Sequence, residues 1–187
     1  MTDQSDAITQ VRALQKVRQN REFTDEPVSE DLLAELLEVA RWTGSAQNTQ
    51  PWHFVVITDP TALQTISEQR PNIGWVAKAK LAIALVFNGE NPSSELYDEG
   101  RVTERLLIAA RTLGLGAGTA WIGDAGNQVL VKDLLGVPRE KLLRSVVVIG
   151  HPQQGATHLL GRTYVGRKPL TEIVSYGTFG TQKESAS

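Results

Sequence analysis

The chain of 187 residues contains no cysteine, and this absence removes several kinds of chemistry. Without a thiol, the chain can form no disulfide, no thiolate nucleophile and no cysteine-ligated metal site. An excess of positive charge is also missing, because the formal net charge is −2 and no long basic run occurs. Nucleic acids and anionic membranes are normally bound by basic patches, so we expect neither as a partner.

Long apolar runs are absent as well. No segment approaches the roughly 20 apolar residues that are needed to cross a bilayer. The first ten residues, MTDQSDAITQ, are polar and acidic and lack the apolar core of a secretory signal. The sequence therefore predicts a soluble, cytoplasmic protein.

Common catalytic and metal-binding motifs are missing too. The three histidines, His53, His151 and His158, show no metal-ligand spacing and no accompanying cluster of carboxylates, so no metal is expected. Neither a G-x-S-x-G elbow nor a phosphate-binding P-loop is present. The segment GLGAGT is not a dinucleotide-binding loop, because it follows a helical segment and has Thr119 where a third glycine is required. Hydrolase and P-loop functions are therefore not favoured.

The composition is that of a globular protein. Apolar residues make up 41% of the chain and charged residues 21%, which leaves enough Leu, Val and Ile for a core. A length of 187 residues fits one domain. We predict a single domain over residues 1–187, with residues 1–5 and 181–187 as disordered tails.

Hydrophobic periodicity predicts alternating helices and strands. Ser29 is a favourable N-cap for the second helix, and the continuous apolar run LAIALVF predicts a central strand covered on both faces. Helices are predicted over residues 6–17, 30–43, 60–69, 95–113 and 128–135, and strands over residues 52–58, 81–87 and 142–150. The apolar segment LLIAARTL in the fourth helix must be buried within the domain or between subunits. This alternation favours a layered α/β or α+β domain.

Seven small or polar residues, Gly44 to Gln50, directly precede the strand that begins at Trp52. The segment GSAQNTQ carries little apolar surface and many hydrogen-bonding groups. It is either an ordinary loop or a surface on which a flat ligand with polar edges lies.

Two groups of basic residues stand out. Arg18 and Arg21 are one helical turn apart, and Arg167 and Lys168 lie in the late segment GRKPL. Guanidinium groups match phosphate oxygens well, although on residue type alone solvated surface charge is the favoured interpretation. By the same reasoning we expect the tryptophans in the core, and these are Trp42, Trp52, Trp75 and Trp121.

Taken together, four segments resemble the nitroreductase family of FMN-dependent oxidoreductases. They are R-x-x-R-x-F from Arg18, S-x-x-N-x-Q-P-W-x-F from Ser45, a glycine-rich turn leading to Trp121, and GRKPL. Their order and spacing match the family from about residue 11 to residue 170. The segments DEGRVTERLLIAARTLGLG, LGVP and VVVIGHP add to the resemblance.

This resemblance implies a fold and an assembly. The expected fold is an α+β, three-layer α-β-α sandwich whose central sheet is mixed, mainly antiparallel and flanked by helices. The expected assembly is an intertwined homodimer with FMN at the subunit interface. Burial between subunits would account for the apolar LLIAARTL segment.

The resemblance also implies which residues bind FMN. The phosphate would be held by Arg18, Arg21, Arg167 and Lys168, with Gln19 near the ribityl chain. Three residues would lie against the flavin ring, typically from the other subunit, and these are Ser45, Ala46 and Asn48. Backbone donors near flavin N5 would come from Thr119, Ala120 and Trp121. The chain departs from the common family pattern at Val17, Gln19 and Gly44, and it lacks the long insertions that usually cover the substrate.

The implied activity needs no catalytic side chain, because the flavin carries the chemistry. NADH or NADPH would reduce FMN, and a nitroaromatic, a quinone or a similar electron-poor acceptor would then take the electrons in a ping-pong cycle. A flavin enzyme of the same fold with other chemistry, such as a dehalogenase, a dehydrogenase or a flavin-degrading enzyme, is an alternative, and so is a deazaflavin donor. A non-catalytic flavin-binding protein and a plain interaction domain are two further alternatives.

Overall fold

The computed structural model describes residues 3–155 and 166–182. Its internal contacts divide the chain into two compact units, residues 1–157 and residues 158–187, and each is described by itself. Of the segments predicted as disordered tails, residues 1, 2 and 183–187 lie outside the described residues.

The described residues form six α-helices and four β-strands. The helices are α1 (Gln4–Leu14), α2 (Glu30–Arg41), α3 (Pro60–Ser67), α4 (Pro92–Thr112), α5 (Ala125–Leu135) and α6 (Leu170–Ile173). The strands are β1 (Trp52–Ile57), β2 (Leu81–Phe87), β3 (Gly116–Trp121) and β4 (Leu142–Gly150). Short 3-10 segments occupy Ala46–Asn48 and Pro71–Lys78.

The four strands form one sheet in the order β1-β2-β4-β3, and all three pairings are antiparallel. Strand β2 lies in the middle of the sheet and is buried along its whole length, as its apolar composition predicted. Strands β1 and β3 are the two edges.

Helices cover both faces of the sheet. Leu81, Ile83 and Leu85 of β2 pack with residues of α2 and α4. The alternate residues Ala82 and Ala84 pack with α3, α5 and the 3-10 segment Pro71–Lys78. This alternation follows from the two-residue period of a strand. The predicted three-layer α+β fold is therefore confirmed, with a sheet that is antiparallel throughout the described residues.

The apolar segment of α4 is largely buried within the protomer. Leu106, Leu107 and Ala110 belong to the core on the α2 and α4 side of the sheet. Of the two explanations that the sequence left open, burial within the domain accounts for these residues. None of the helices in the described part of the chain is long and apolar enough to cross a membrane.

Several helix boundaries follow from capping. Ser29 caps α2 by accepting a hydrogen bond from the Leu32 N–H, as predicted. Asp3 likewise caps α1, so this helix begins at Gln4, inside the segment predicted as a disordered tail. Helix α5 ends at Leu135 and is capped by Gly136, whose φ of 66° is readily adopted by glycine.

The glycine-rich segment before Trp121 is a turn only at its start, at Leu113 and Gly114. Residues Gly116–Trp121 form the edge strand β3, which pairs with β4. Glycine is disfavoured in strands because it has no side chain to pack, so the segment carries no strand signal.

In the second unit, residues 166–182 contain the one-turn helix α6 and a compact turn. The side chain of Gln182 donates to the Thr171 carbonyl at 3.0 Å, and the Tyr176 N–H donates to the Thr181 carbonyl at 2.9 Å. Thr181 and Gln182, which were predicted within a disordered tail, therefore form specific hydrogen bonds.

Candidate functional site

The outer edge of β3 contacts the segment that follows α1. The Asn20 N–H donates to the Ala117 carbonyl at 2.7 Å. Thr119 lies two residues after Ala117 on the same strand, and its N–H donates to the side-chain oxygen of Gln19 at 3.2 Å. Two regions that the sequence marked separately, Gln19 and Thr119, thus meet directly.

Glycines in β3 allow this close approach. A Cβ added to Gly118 would lie 2.5 Å from the Asn20 carbonyl oxygen and 3.0 Å from the Trp75 ring. A Cβ on Gly116 would lie 2.9 Å from the side-chain nitrogen, Nδ2, of Asn20. The glycines that the sequence suggested for a turn therefore make space for the chain that crosses the strand.

The crossing segment is fixed at its other end as well. The Thr24 N–H donates to the His151 carbonyl at 2.9 Å, and the Gln153 N–H donates to the Glu22 carbonyl at 3.0 Å. Phe23, between them, is buried against Gly150. Residues 19–24 are consequently held along the sheet rather than free in solvent.

The two arginines of this segment point in different directions. The Arg21 guanidinium carbon lies 5.4 Å from the centroid of the Trp75 ring, and among the described residues Arg21 forms no ion pair. Arg18 instead donates to the carbonyls of Gln15 and Val17, at 2.6 and 2.7 Å. Arg21 therefore lies beside the β3 edge, whereas the Arg18 guanidinium is bound at the end of α1.

The last residues of β3 differ in exposure. Thr119 has a buried hydroxyl for which the described residues offer no hydrogen-bond partner. Ala120 is fully buried in the core. Trp121, by contrast, is 51% exposed, and Trp42 is 67% exposed, so the expectation of core positions was wrong for these two tryptophans.

The segment between α2 and β1 has an unusual backbone. Gln47, Asn48 and Gln50 have φ values of 52°, 57° and 48°, which is the left-handed region that side chains disfavour. The Ser45 hydroxyl accepts a hydrogen bond from the Gln50 N–H at 2.8 Å and closes the turn. Ser45 is half-buried, whereas Ala46 and Asn48 are exposed. The segment is thus a defined, strained turn and not an extended loop.

Two arginines of α4, which the sequence did not single out, hold the start of this turn. Arg101 donates to the Gly44 carbonyl at 3.3 Å, and Arg105 donates to the Trp42 carbonyl at 3.0 Å. The sequence feature that could have identified Arg101 and Arg105 is their spacing of one helical turn. Within the described residues of one protomer, no hydrogen bond joins this turn to Gln19 or Thr119.

A carboxylate at the end of α2 is strongly paired. Glu38 accepts hydrogen bonds from the guanidinium of Arg41 and from the indole of Trp42. These bonds, with that from Arg41 the larger, lower the pKa of Glu38 to about 2. Glu38 is therefore ionised across the physiological pH range.

The remaining predicted site residues, Arg167 and Lys168, belong to the second unit. Both are exposed there. Their part in binding stays a prediction.

Comparison with known proteins identifies the family. A family model described as the nitroreductase family matches residues 15–86, which include the Arg18 and Ser45 motifs. A protein provisionally named NADH dehydrogenase/NAD(P)H nitroreductase, from Archaeoglobus fulgidus, is 32% identical over 146 residues, which cover 73% of this chain and 81% of that protein.

Solved structures agree in fold. A provisionally named NADH dehydrogenase/NAD(P)H nitroreductase from Parabacteroides distasonis superposes with a TM-score of 0.79 at 21% identity, covering 91% of this chain and 99% of that one. A provisionally named nitroreductase from Desulfovibrio desulfuricans, crystallised in complex with FMN, gives a TM-score of 0.75 at 27% identity, with coverage of 90% and 96%. From its motifs, its fold and its relative in Archaeoglobus, the chain belongs to the nitroreductase family.

Proposed function

We propose that the protein is an FMN-dependent oxidoreductase that passes reducing equivalents from NADH or NADPH to nitroaromatics, quinones or similar electron-poor acceptors. The observation that carries this proposal is the meeting of Gln19 with Thr119 at the open edge of β3, beside Arg21. The relative from Archaeoglobus bears an NAD(P)H nitroreductase name, and the one from Desulfovibrio was crystallised with FMN.

The residues at the β3 edge fit a flat, polar-edged, phosphorylated group. The Thr119 hydroxyl is buried and has no hydrogen-bond partner among the described residues, which is costly unless a ligand or a second chain satisfies it. Arg21 carries a guanidinium that forms no ion pair in the described part of the chain, a suitable partner for phosphate. The half-exposed Trp121 adds an aromatic surface.

Each group of residues has a separate task in this proposal. Arg21 binds the phosphate together with Arg167 and Lys168, and Arg18 joins them once its guanidinium leaves the two carbonyls that follow α1. Gln19 orients the ribityl chain. The backbone of β3 at Thr119, Ala120 and Trp121 would lie near the reactive edge of the ring, where donors stabilise negative charge. The Thr119 N–H donates to Gln19 in this structure, so it would serve the ring only once that bond is released. When bound, FMN would supply the electron transfer between NAD(P)H and the acceptor, for which we propose a ping-pong cycle.

A second copy of the chain completes the proposed site. Ser45, Ala46 and Asn48 are fixed in a defined turn that makes no hydrogen bond to Gln19 or Thr119 within the described protomer. A groove of about 380 Å³ lies between α4 and α2, the helix that precedes this turn in the chain. Its apolar walls are formed by Val39, Ile108 and Leu113. We infer that a homodimer covers this face and brings the turn of one subunit to the FMN of the other.

An absorbance spectrum of the purified protein tests the proposal. We expect a flavin spectrum that bleaches on anaerobic addition of NADH or NADPH and recovers when a quinone or a nitroaromatic is added. A flavin spectrum that neither nucleotide bleaches would favour a flavin-binding protein or a deazaflavin donor. A colourless protein that also fails to take up added FMN would refute the proposal.

A further inference from the structure

A cation lies directly over the exposed tryptophan at the end of β3. The Arg70 guanidinium carbon is 4.5 Å from the centroid of the Trp121 ring, and Nη1 donates to the Trp121 carbonyl at 3.4 Å. Trp121 is two residues beyond Thr119 on the same strand. Together Arg70 and Trp121 form a surface, which we call the Arg70–Trp121 pair, that presents an aromatic ring and a positive charge at one end of the open edge.

Several features of the fold hold Arg70 in this position. Gly123 lies beside it with a φ of 118°, and a Cβ at that position would come within 2.9 Å of the Arg70 Cδ atom. The Asn127 side chain donates to the Gln69 carbonyl at 3.0 Å and to the Ile122 carbonyl at 3.4 Å. Asn127 therefore links the residue before Arg70 to the residue after Trp121, so the two backbone segments that carry the Arg70–Trp121 pair are held together.

The charge of Arg70 is not neutralised by a neighbour. Within the described residues Arg70 forms no ion pair with a carboxylate. A guanidinium has five N–H donors, and only one of those on Arg70 makes a hydrogen bond in the described structure, to the Trp121 carbonyl. A guanidinium held over an aromatic ring keeps its N–H edge available for an oxyanion.

We propose that the Arg70–Trp121 pair is a subsite for an aromatic ligand that carries an anionic group. Trp121 contacts the ring, and Arg70 binds the carboxylate, sulfonate or phosphate. This inference rests on the proposed function, since it assigns a substrate preference to the site at the β3 edge. The anion has two possible sources, an acidic electron acceptor or the 2′-phosphate of NADPH.

Equilibrium binding is the first test. The quenching of tryptophan fluorescence is titrated with 4-nitrobenzoate and with the uncharged 4-nitrobenzyl alcohol, using the protein as purified. We expect Arg70→Gln to weaken 4-nitrobenzoate binding about tenfold, the effect of one charge-assisted hydrogen bond, and to leave the alcohol unchanged. Arg70→Lys keeps the positive charge but loses the forked guanidinium, so its affinity for 4-nitrobenzoate should lie between those of the parent protein and Arg70→Gln.

Steady-state kinetics distinguish the two sources of the anion. With NADH as the donor, a fall in kcat/KM for 4-nitrobenzoate but not for the alcohol assigns Arg70 to the acceptor. With a neutral quinone as the acceptor, a fall for NADPH but not for NADH assigns Arg70 to the donor phosphate. In either case the fall in kcat/KM should come mainly from a higher KM, and it should become smaller as salt is added. Both effects are expected when a charge–charge contact is lost.

The matched control is Arg139→Gln, which removes the same charge from an exposed pair with Asp133. It should bind 4-nitrobenzoate and the alcohol like the parent protein and should keep the parent's kcat/KM for NADH and NADPH. Equal effects of Arg70→Gln on charged and uncharged ligands, or no effect on any, would overturn the Arg70–Trp121 subsite. Because fluorescence needs no turnover, the titration decides the subsite even if the protein proves to hold no FMN, a result that would refute only the proposed function.

Discussion

The side-chain oxygen of Gln19 accepts a hydrogen bond from the Thr119 N–H at 3.2 Å, although the two residues lie 100 positions apart in the chain. Gln19 sits where the chain crosses the β3 edge, and Thr119 is the strand residue that it meets. The bond therefore sets the position of the predicted ribityl-binding residue relative to the predicted flavin-facing strand.

We expect Gln19→Ala to weaken FMN binding about fivefold, the effect of one neutral hydrogen bond. Loss of the side chain removes the link to Thr119 and lets residues 19–21 shift. FMN titration of the apoprotein, followed by flavin fluorescence, measures the change. Gln64→Ala is the control, because among the described residues the exposed Gln64 side chain of α3 bonds only to the Glu68 side chain. Equal FMN affinities of Gln19→Ala and the parent protein would contradict the assigned position.

The phosphate assignment is tested by a double variant, Arg21→Ala with Arg167→Ala. We expect it to lose FMN during purification, since two guanidinium partners of the phosphate are removed together. Arg21→Ala also removes the contact with Trp75, so a stability loss of about 0.5–1 kcal/mol is expected. Flavin content and circular dichroism are measured beside Arg12→Ala with Arg139→Ala, which changes the charge equally. Full flavin retention would refute the assignment.

The close crossing at β3 predicts a large effect of a single methyl group. Gly118→Ala places a Cβ 2.5 Å from the Asn20 carbonyl oxygen. We expect it to destabilise the fold by about 1–3 kcal/mol, as overpacking does, and to weaken FMN binding by displacing residues 19–21. Gly100→Ala is the control, because nothing lies within 4 Å of its Cβ. In the middle of α4 it should stabilise by about 1 kcal/mol. Urea denaturation measures both, and a neutral Gly118→Ala would contradict the crossing.

The paired Glu38 predicts a pH dependence. Its hydrogen bonds to Arg41 and Trp42 lower its pKa from 4.5 to about 2 in the folded protein. A carboxyl with a lowered pKa contributes stability above its unfolded pKa and loses that contribution as the pH falls through the folded value. We expect the melting temperature of Glu38→Gln to fall less than that of the parent protein as the pH decreases from about 4.5 to about 2. Glu140→Gln is the control, and parallel curves for Glu38→Gln and the parent would contradict the pairing.

The sequence predicted the elements whose signal is local. The apolar run of β2 and the Ser29 cap of α2 were both identified, because burial on two faces and capping leave a mark in a few adjacent residues. Strand β3 was missed because its glycines serve a contact with Asn20, which lies far away in the sequence.

The candidate site was predictable as a set of residues but not as an arrangement. Residue type could not show that Arg18 turns back to the carbonyls just after α1, or that Trp121 is exposed beneath Arg70. Arg70 carries no motif of its own. Its position depends on Gly123 and Asn127, which are separated from it by more than 50 residues.

Asn48 allows the roles of side chain and backbone to be separated. Its φ of 57° suits glycine, whereas alanine is strained there by about 1–2 kcal/mol. If the Asn48 side chain contacts the flavin ring as proposed, Asn48→Gly and Asn48→Ala should both lower kcat by about tenfold, the equivalent of one hydrogen bond, and only Asn48→Ala should lower stability. Turnover with a quinone acceptor and thermal melting measure the two effects.

Gln47 provides the control for the strained turn, because its φ is 52° and it has no proposed contact with the flavin. Gln47→Ala should lower stability in the same way, and Gln47→Gly should not, while both keep the kcat of the parent protein. Full turnover of Asn48→Gly together with slow turnover of Asn48→Ala would show that the site requires only the left-handed backbone at this position. That result would remove the Asn48 side chain from the site and leave the shape of the turn as the feature that the second subunit contributes.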